Sequence, residues 1–226
     1  MLFGLAAWGV GLLRGGGLTA VQAEGSTIIE LPPPAREGGP GLYSVLSKRR
    51  TARALADDGI SLADLGQLLW ATQGLTSPHG FRTAPSAGAL FPLELYVVVS
   101  RSPSLTPGTY RYEPQGHRLH RLGEPAPRPE LAMAAYGQPW VAEGALLFVI
   151  AGVQSRTAVK YGERAFQYVC LEAGHAAQNL LLAAAGLDLA TGLVGAFSDK
   201  RVKSLMGLPD DHTPLYLIPV GKPAAR

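Results

Sequence analysis

Apolar residues recur every three or four positions through residues 163–187, where Phe166, Val169, Cys170, Ala173, Ala176, Ala177, Leu180, Leu181 and Ala184 mark one side of the longest helix the sequence predicts. The alanines on that side leave room for another helix to approach closely. A second helix follows Ser61, with Leu62, Leu65, Leu68 and Leu69 at helical spacing, Asp64 three residues after the serine as in a capping box, and Gly74 at the far end. A short helical stretch runs from Tyr43, and another from Ser198 through Val202 and Leu205 to Gly207. Elsewhere the period drops to that of strands: residues 93–99, 109–112 and 117–122 around the turn Pro114-Gln115-Gly116, then 145–153 and 216–220. Helices, a run of strands, a long helix and a last strand predict an α+β fold rather than a doubly wound one.

The ends of the chain read differently. Residues 2–13 are apolar but too few to span a bilayer, which takes ~20 residues. With the small residues around Ala23, residues 1–23 read either as an export signal, lacking a basic start, or as an ordinary N-terminal helix, so location stays open between cytoplasmic and exported. Residues 24–41 are rich in Pro and Gly and predict an extended lead-in without a core of its own; the folded domain is expected over residues 42–226.

Composition narrows the function classes. Hydrophobic residues make up 47% and charged residues 16% of the 226, which excludes a disordered chain, and a formal charge of +3 is no footprint of a nucleic-acid binder. Cys170 is the single cysteine, so no intramolecular disulfide forms. There is no P-loop, no dinucleotide-binding glycine motif ahead of a helix and no G-x-S-x-G elbow. His117 and His120, three apart on a predicted strand, would face opposite sides, and His79, His175 and His212 stand alone, so no metal is expected.

Four stretches carry candidate chemistry. Lys48-Arg49-Arg50-Thr51-Ala52-Arg53 sets four cations and a hydroxyl at a helix end, a donor set suited to a phosphate dianion, although basic residues there also simply complement the helix dipole. Residues 82–92, with Pro85, Ser86, Ala87 and Gly88, form a loop that a flat ligand can approach closely, or an ordinary tight turn. Residues 191–197 place Val194 and Gly195 after the long helix, as a backbone donor to a ligand or as a connector. Lys160 and Tyr161 stand side by side and would serve as base and acid if a pocket enclosed them; otherwise they are surface residues.

Taken in order, KRRTAR, RTAPSAGALFPLELYVV, KYGERAFQYVCLEAGHAAQNLLLAAAGL, GLVGAF and PLYLIPVG resemble the nitroreductase family, and within it the SagB-type dehydrogenases, which include azoline oxidases of thiazole and oxazole peptide biosynthesis. The resemblance covers about four fifths of the chain. It implies a central, mostly antiparallel sheet flanked by helices, a homodimer built on the long helix, and FMN at the subunit interface. On that pattern Arg49, Arg50, Thr51 and Arg53 meet the phosphate, ribityl chain and pyrimidine edge, Pro85, Ser86, Ala87 and Gly88 line the isoalloxazine from the partner subunit, and Val194 with Gly195 offers an N–H near flavin N5. Lys222 or Arg226 would reach the phosphate. Ala89 stands where classical nitroreductases carry Asn, as in the SagB-type branch. Lys160 and Tyr161 match the pair that takes the proton accompanying hydride transfer in azoline oxidation, on a small-molecule or modified-peptide substrate. An NAD(P)H-dependent nitro or quinone reductase and a non-catalytic flavin-binding module are the alternatives.

Overall fold

Strands β3 (Leu93–Val99) and β6 (Leu146–Gly152) lie side by side at the middle of an antiparallel sheet, and their near-unbroken apolar sequences have a simple cause: both faces of the sheet are covered. The structure, a computed structural model, describes residues 27–224; the segment 1–23 and Arg226 lie outside the described residues. The eight strands run in the order β1 (Ile28–Glu30), β5 (Arg118–Gly123), β4 (Gly108–Glu113), β3, β6, β8 (Thr213–Pro223) and β2 (Leu55–Ala56), with β7 (Ala190–Thr191) also pairing β8. Every one of these pairings is antiparallel.

Alternation along β3 divides the interior. Leu95, Val97 and Val99 join α2 (Leu62–Gln73) and α5 (Ala165–Gly186) in one core, whereas Tyr96 and Val98 join Leu131, Trp140, Val141, Val202 and Met206 in the other. The second core is roofed by α3 (Arg128–Ala134) and α6 (Asp199–Met206), of which α3 has no clear apolar period in the sequence. Each fully buried Leu, Ile or Phe contributes ~1.5–3 kcal/mol through water removed from its surface.

Caps set the helix ends. Ser61 accepts the Asp64 N–H at 3.0 Å at the start of α2, as expected. Gly74 ends it in an extended conformation, and glycine is required because a Cβ would fall 2.1 Å from the Trp70 ring. The α6 helix ends at a left-handed Gly207, while Ser198 at its start makes no side-chain cap bond. In α5 the first turn is displaced: residues 162–164 form a tight 3₁₀ turn after Gly162 at φ +51°, so the α-helix proper starts at Ala165. Phe166 and Cys170, part of the predicted apolar side, lie outside the core and are exposed.

The lead-in is extended and docked. Its β1 pairs with β5, Leu31 is buried, and Gln67 of α2 accepts the Ala35 N–H at 2.8 Å and donates to the Ala35 carbonyl at 3.1 Å. His117 departs from the expected strand: it sits in the preceding turn at φ +49°, so its direction relative to His120 is not set by strand alternation. Its Nδ1 accepts from the Tyr112 hydroxyl at 2.8 Å and its Nε2 donates to the Pro32 carbonyl at 3.1 Å. His120 pairs instead with Glu113.

Candidate functional site

The sheet gathers the basic segment at one corner. Helix α1 (Leu42–Lys48) stops where Arg49 turns to extended backbone, and the Arg50 guanidinium donates to the carbonyls of Ser47 and Arg49 at 2.9 and 2.8 Å, satisfying groups the helix end leaves open. Thr51 then bridges Thr191, the Ala52 N–H bonds the Thr191 carbonyl at 2.8 Å, and Arg53 lies 5.8 Å from the centre of the Trp140 ring. Thr191 pairs Val220 in β8, and two residues further on Lys222 stands opposite Ala56 of β2. Backbone pairing thus brings residues 49–53, the start of the 191–197 loop and Lys222 into one neighbourhood. None of Arg49, Arg50, Arg53 and Lys222 has a carboxylate partner among the described residues. An uncompensated basic corner with an exposed threonine is chemistry that fits a phosphate.

Of Val194 and Gly195, only the glycine keeps its N–H for a ligand. Val194 is locked onto β8, its N–H donated to the Leu217 carbonyl at 2.9 Å and its carbonyl accepting the Leu217 N–H at 3.0 Å. Gly195 is exposed, and its N–H has no acceptor among the described residues. Gly192, one turn earlier, must be glycine because a Cβ would fall 2.3 Å from the Trp140 ring and 2.7 Å from the Ala52 carbonyl.

The second gathering joins two motifs more than seventy residues apart. Loop 82–92 leaves α2 with the Thr83 hydroxyl donating to the Trp70 carbonyl at 3.1 Å and with Arg82 bonded to Gln73 and stacked 4.5 Å from the Phe91 ring centre. Gly88, Ala89 and Phe91 all adopt positive φ, at +63°, +55° and +45°. The Ser86 hydroxyl accepts the Phe91 N–H at 2.9 Å, and Glu172 of α5 accepts the Ala87 N–H at 2.8 Å. Asn179, two turns along α5, donates to the Thr83 carbonyl at 3.2 Å.

Against this loop lies the end of α4 (Gln154–Tyr161), a helix whose apolar pattern is too weak to read in the sequence. A Cβ built on Gly88 would lie 3.1 Å from both Lys160 Cδ and the Tyr161 hydroxyl, and 3.2 Å from Lys160 Nζ. Glycine at 88 thus leaves the pair room to lie close against the loop, and its φ of +63° suits glycine as well. Arg156, one turn earlier on α4, donates to the Phe91 carbonyl at 3.2 Å and to Glu94 at 2.6 Å, tying helix to loop. The Tyr161 ring packs tilted on Tyr168 with centroids 4.7 Å apart.

Glu172 and Asn179 had no assigned role in the sequence reading. The available signal was a carboxylate at a core-facing position of an alanine-lined helix, where an acid belongs only if something holds it. No hydrogen bond, strand pair or ion pair among the described residues joins the basic corner to the Lys160–Tyr161 group within one chain. Among the described residues no cluster of three His, Cys, Asp or Glu side chains forms a metal site.

Comparison with known proteins agrees with this architecture. A protein of Methanocaldococcus jannaschii, MJ1384, which carries a provisional nitroreductase name, is 40% identical over 181 residues, 80% of this chain and 90% of its own. The crystal structure of a Ralstonia eutropha protein given the same provisional name superposes with a TM-score of 0.78 at 27% identity, covering 88% of this chain and 90% of that one. The Escherichia coli microcin synthetase McbBCD complex with truncated pro-MccB17 bound contains a chain of the same fold, with a TM-score of 0.66 at 20% identity, covering 94% of this chain and 85% of that one. The model of the nitroreductase family matches residues 46–222, so that by sequence and by fold alike the chain belongs to the nitroreductase family.

Proposed function

We propose that the chain is an FMN-dependent dehydrogenase resembling the SagB-type enzymes, in which Lys160 and Tyr161 manage the proton that leaves the substrate as a hydride is removed. The observation that carries this reading is the convergence of Lys160 Nζ and the Tyr161 hydroxyl on Gly88, in the loop expected to line the flavin. Arg49, Arg53 and Lys222 would hold the FMN phosphate, Thr51 would add a hydroxyl donor, and Gly195 would supply the backbone N–H that Val194 has already committed. Arg50, with two of its bonds already made to carbonyls, would contribute mainly charge. When bound, FMN supplies the two-electron acceptor for the hydride.

The chain's own residues then have distinct tasks. The Lys160 amine, in its neutral form, would accept the proton from the atom next to the carbon that loses hydride. The Tyr161 hydroxyl donates a hydrogen bond that orients the reacting group. Proteins of this fold are typically homodimers, and exposed Phe166 and Leu171 on α5, with Leu42, Tyr43 and Leu46 on α1, would supply apolar contacts to a second copy. That copy would bring its 82–92 loop to this chain's basic corner. The bound precursor in the microcin synthetase complex supports a modified peptide as the substrate class.

A second reading, NAD(P)H-dependent nitro or quinone reduction, is favoured by the 40% identity to MJ1384. Anaerobic mixing of the FMN-loaded protein with a thiazoline-containing peptide separates the two. Bleaching of the flavin by the peptide, slowed at least ~10²-fold in Lys160→Ala and Tyr161→Phe with FMN still retained, is the expected result. Rapid bleaching by NADH or NADPH alone would establish the reductase instead, and no bleaching by any donor would leave a flavin-holding module.

A further inference from the structure

One carboxylate sits in the buried face of α5. Glu172 is 5% exposed, beside Ala173 and Ala176, and no cation pairs with it among the described residues. The charged or titratable groups around it are Arg82 on the loop and His175 on its own helix. Burial pushes its carboxyl above the usual range, against the pull of the Ala87 N–H and the Ser86 hydroxyl. An unpaired buried acid is costly, and alanine, its neighbour on the same face, would pack there without that cost.

What the carboxylate holds is a run of backbone that side-chain-bearing residues disfavour. Ala89 and Phe91 are left-handed with no glycine to ease them. Ser86 faces Glu172 with its hydroxyl and accepts the Phe91 N–H, so carboxylate, hydroxyl and two amides brace both ends of the run. The outer surface of the run, at Gly88, is where Lys160 and Tyr161 rest.

We propose that Glu172 is the positioning residue of the Lys160–Tyr161 pair, fixing residues 86–91 as the floor that sets where those two side chains stand. This rests on the proton-handling reading of Lys160 and deepens it. The test uses the FMN-loaded full chain and two readouts that need no turnover: hydrogen exchange of the amides of residues 87–91, and the rate and pH midpoint of Lys160 acetylation by acetic anhydride. Glu172→Ala is expected to speed exchange of those amides at least tenfold and to change the Lys160 acetylation rate at least threefold with a moved midpoint. Glu172→Gln keeps a carbonyl oxygen for the Ala87 N–H and is expected to stay within threefold of wild type in exchange. Unchanged exchange in Glu172→Ala overturns the proposal, and so does faster exchange with acetylation unaltered. If that variant does not fold, Ser86→Ala carries the same two expectations. Full dehydrogenase activity in Lys160→Ala would overturn the proton-handling reading by itself, and exchange would still report whether Glu172 pins the loop.

Discussion

Arg49 and Arg50 are adjacent in the chain and differ in what their guanidinium groups can still do. Arg50 caps carbonyls at the end of α1, whereas the Arg49 side chain makes no hydrogen bond among the described residues. Arg49→Ala is therefore expected to weaken FMN binding by about 1.5–3 kcal/mol, the range for a hydrogen bond to a charged group, and Arg50→Ala by less. Flavin fluorescence titration measures both, and equal losses would mean that the corner acts as undirected charge. The basic segment was legible because its four cations fall within six consecutive residues. The Val194 N–H was not, because its use depends on pairing with Leu217, a strand away in sequence. Glu172 was only half visible for a related reason: the helix period marks an acid on the core-facing side, but its partner is an amide 85 residues back.

At the level of elements, legibility followed burial on one face. The period of α2 and α5 survives in sequence because each presents a stripe to the sheet, whereas α4 buries only Thr157 and leaves almost no stripe to find. Short strands such as β1, β2 and β7 are likewise too brief to show alternation. The β1 lead-in is fastened partly by His117, whose carbonyl accepts the Leu31 N–H and whose ring bonds the Pro32 carbonyl. Burial holds the His117 imidazole below its ordinary value of 6.5, and the same holds for His212, whose Nδ1 shares a hydrogen bond with the Tyr96 hydroxyl at 2.8 Å. With folded values below the unfolded one, the unfolded chain binds more protons as pH falls through 6.5, so both histidines stabilise the fold above that pH and withdraw their contribution below it. Unfolding free energy is expected to fall between pH 7 and 5, by at most about 1.4 kcal/mol per pH unit per histidine, and the melting temperature to fall with it. In His117→Asn, which tolerates the positive φ, that slope is expected to shrink; an identical slope would remove His117 from the account.

For the molecule as a whole, the α+β class was legible from the order of elements. Leu171 is 51% exposed on α5 and Tyr43 87% exposed on α1, apolar side chains that a second copy would cover. Leu171→Glu places a charge on this face without touching either core. It is expected to shift the protein from dimer to monomer in sedimentation velocity and to reduce FMN retention at least tenfold; a dimer that keeps its flavin would place the interface elsewhere.

The two gatherings of functional residues stand on different foundations. Val194 and Trp140, under the basic corner, belong to the core shared with α3 and α6, whereas Ala84, Leu93 and the α5 residues beneath the Lys160–Tyr161 loop belong to the other. The sheet acts as a bulkhead between them, with Val97 and Val98, neighbours in the chain, opening into separate compartments. On the proposed reading, the residues that would hold the phosphate and the pair that would handle the proton stand over different cores. Substitutions that repack one compartment are therefore expected to leave the groups mounted on the other largely in place, because the two share the backbone of the sheet and not the side chains on either side of it.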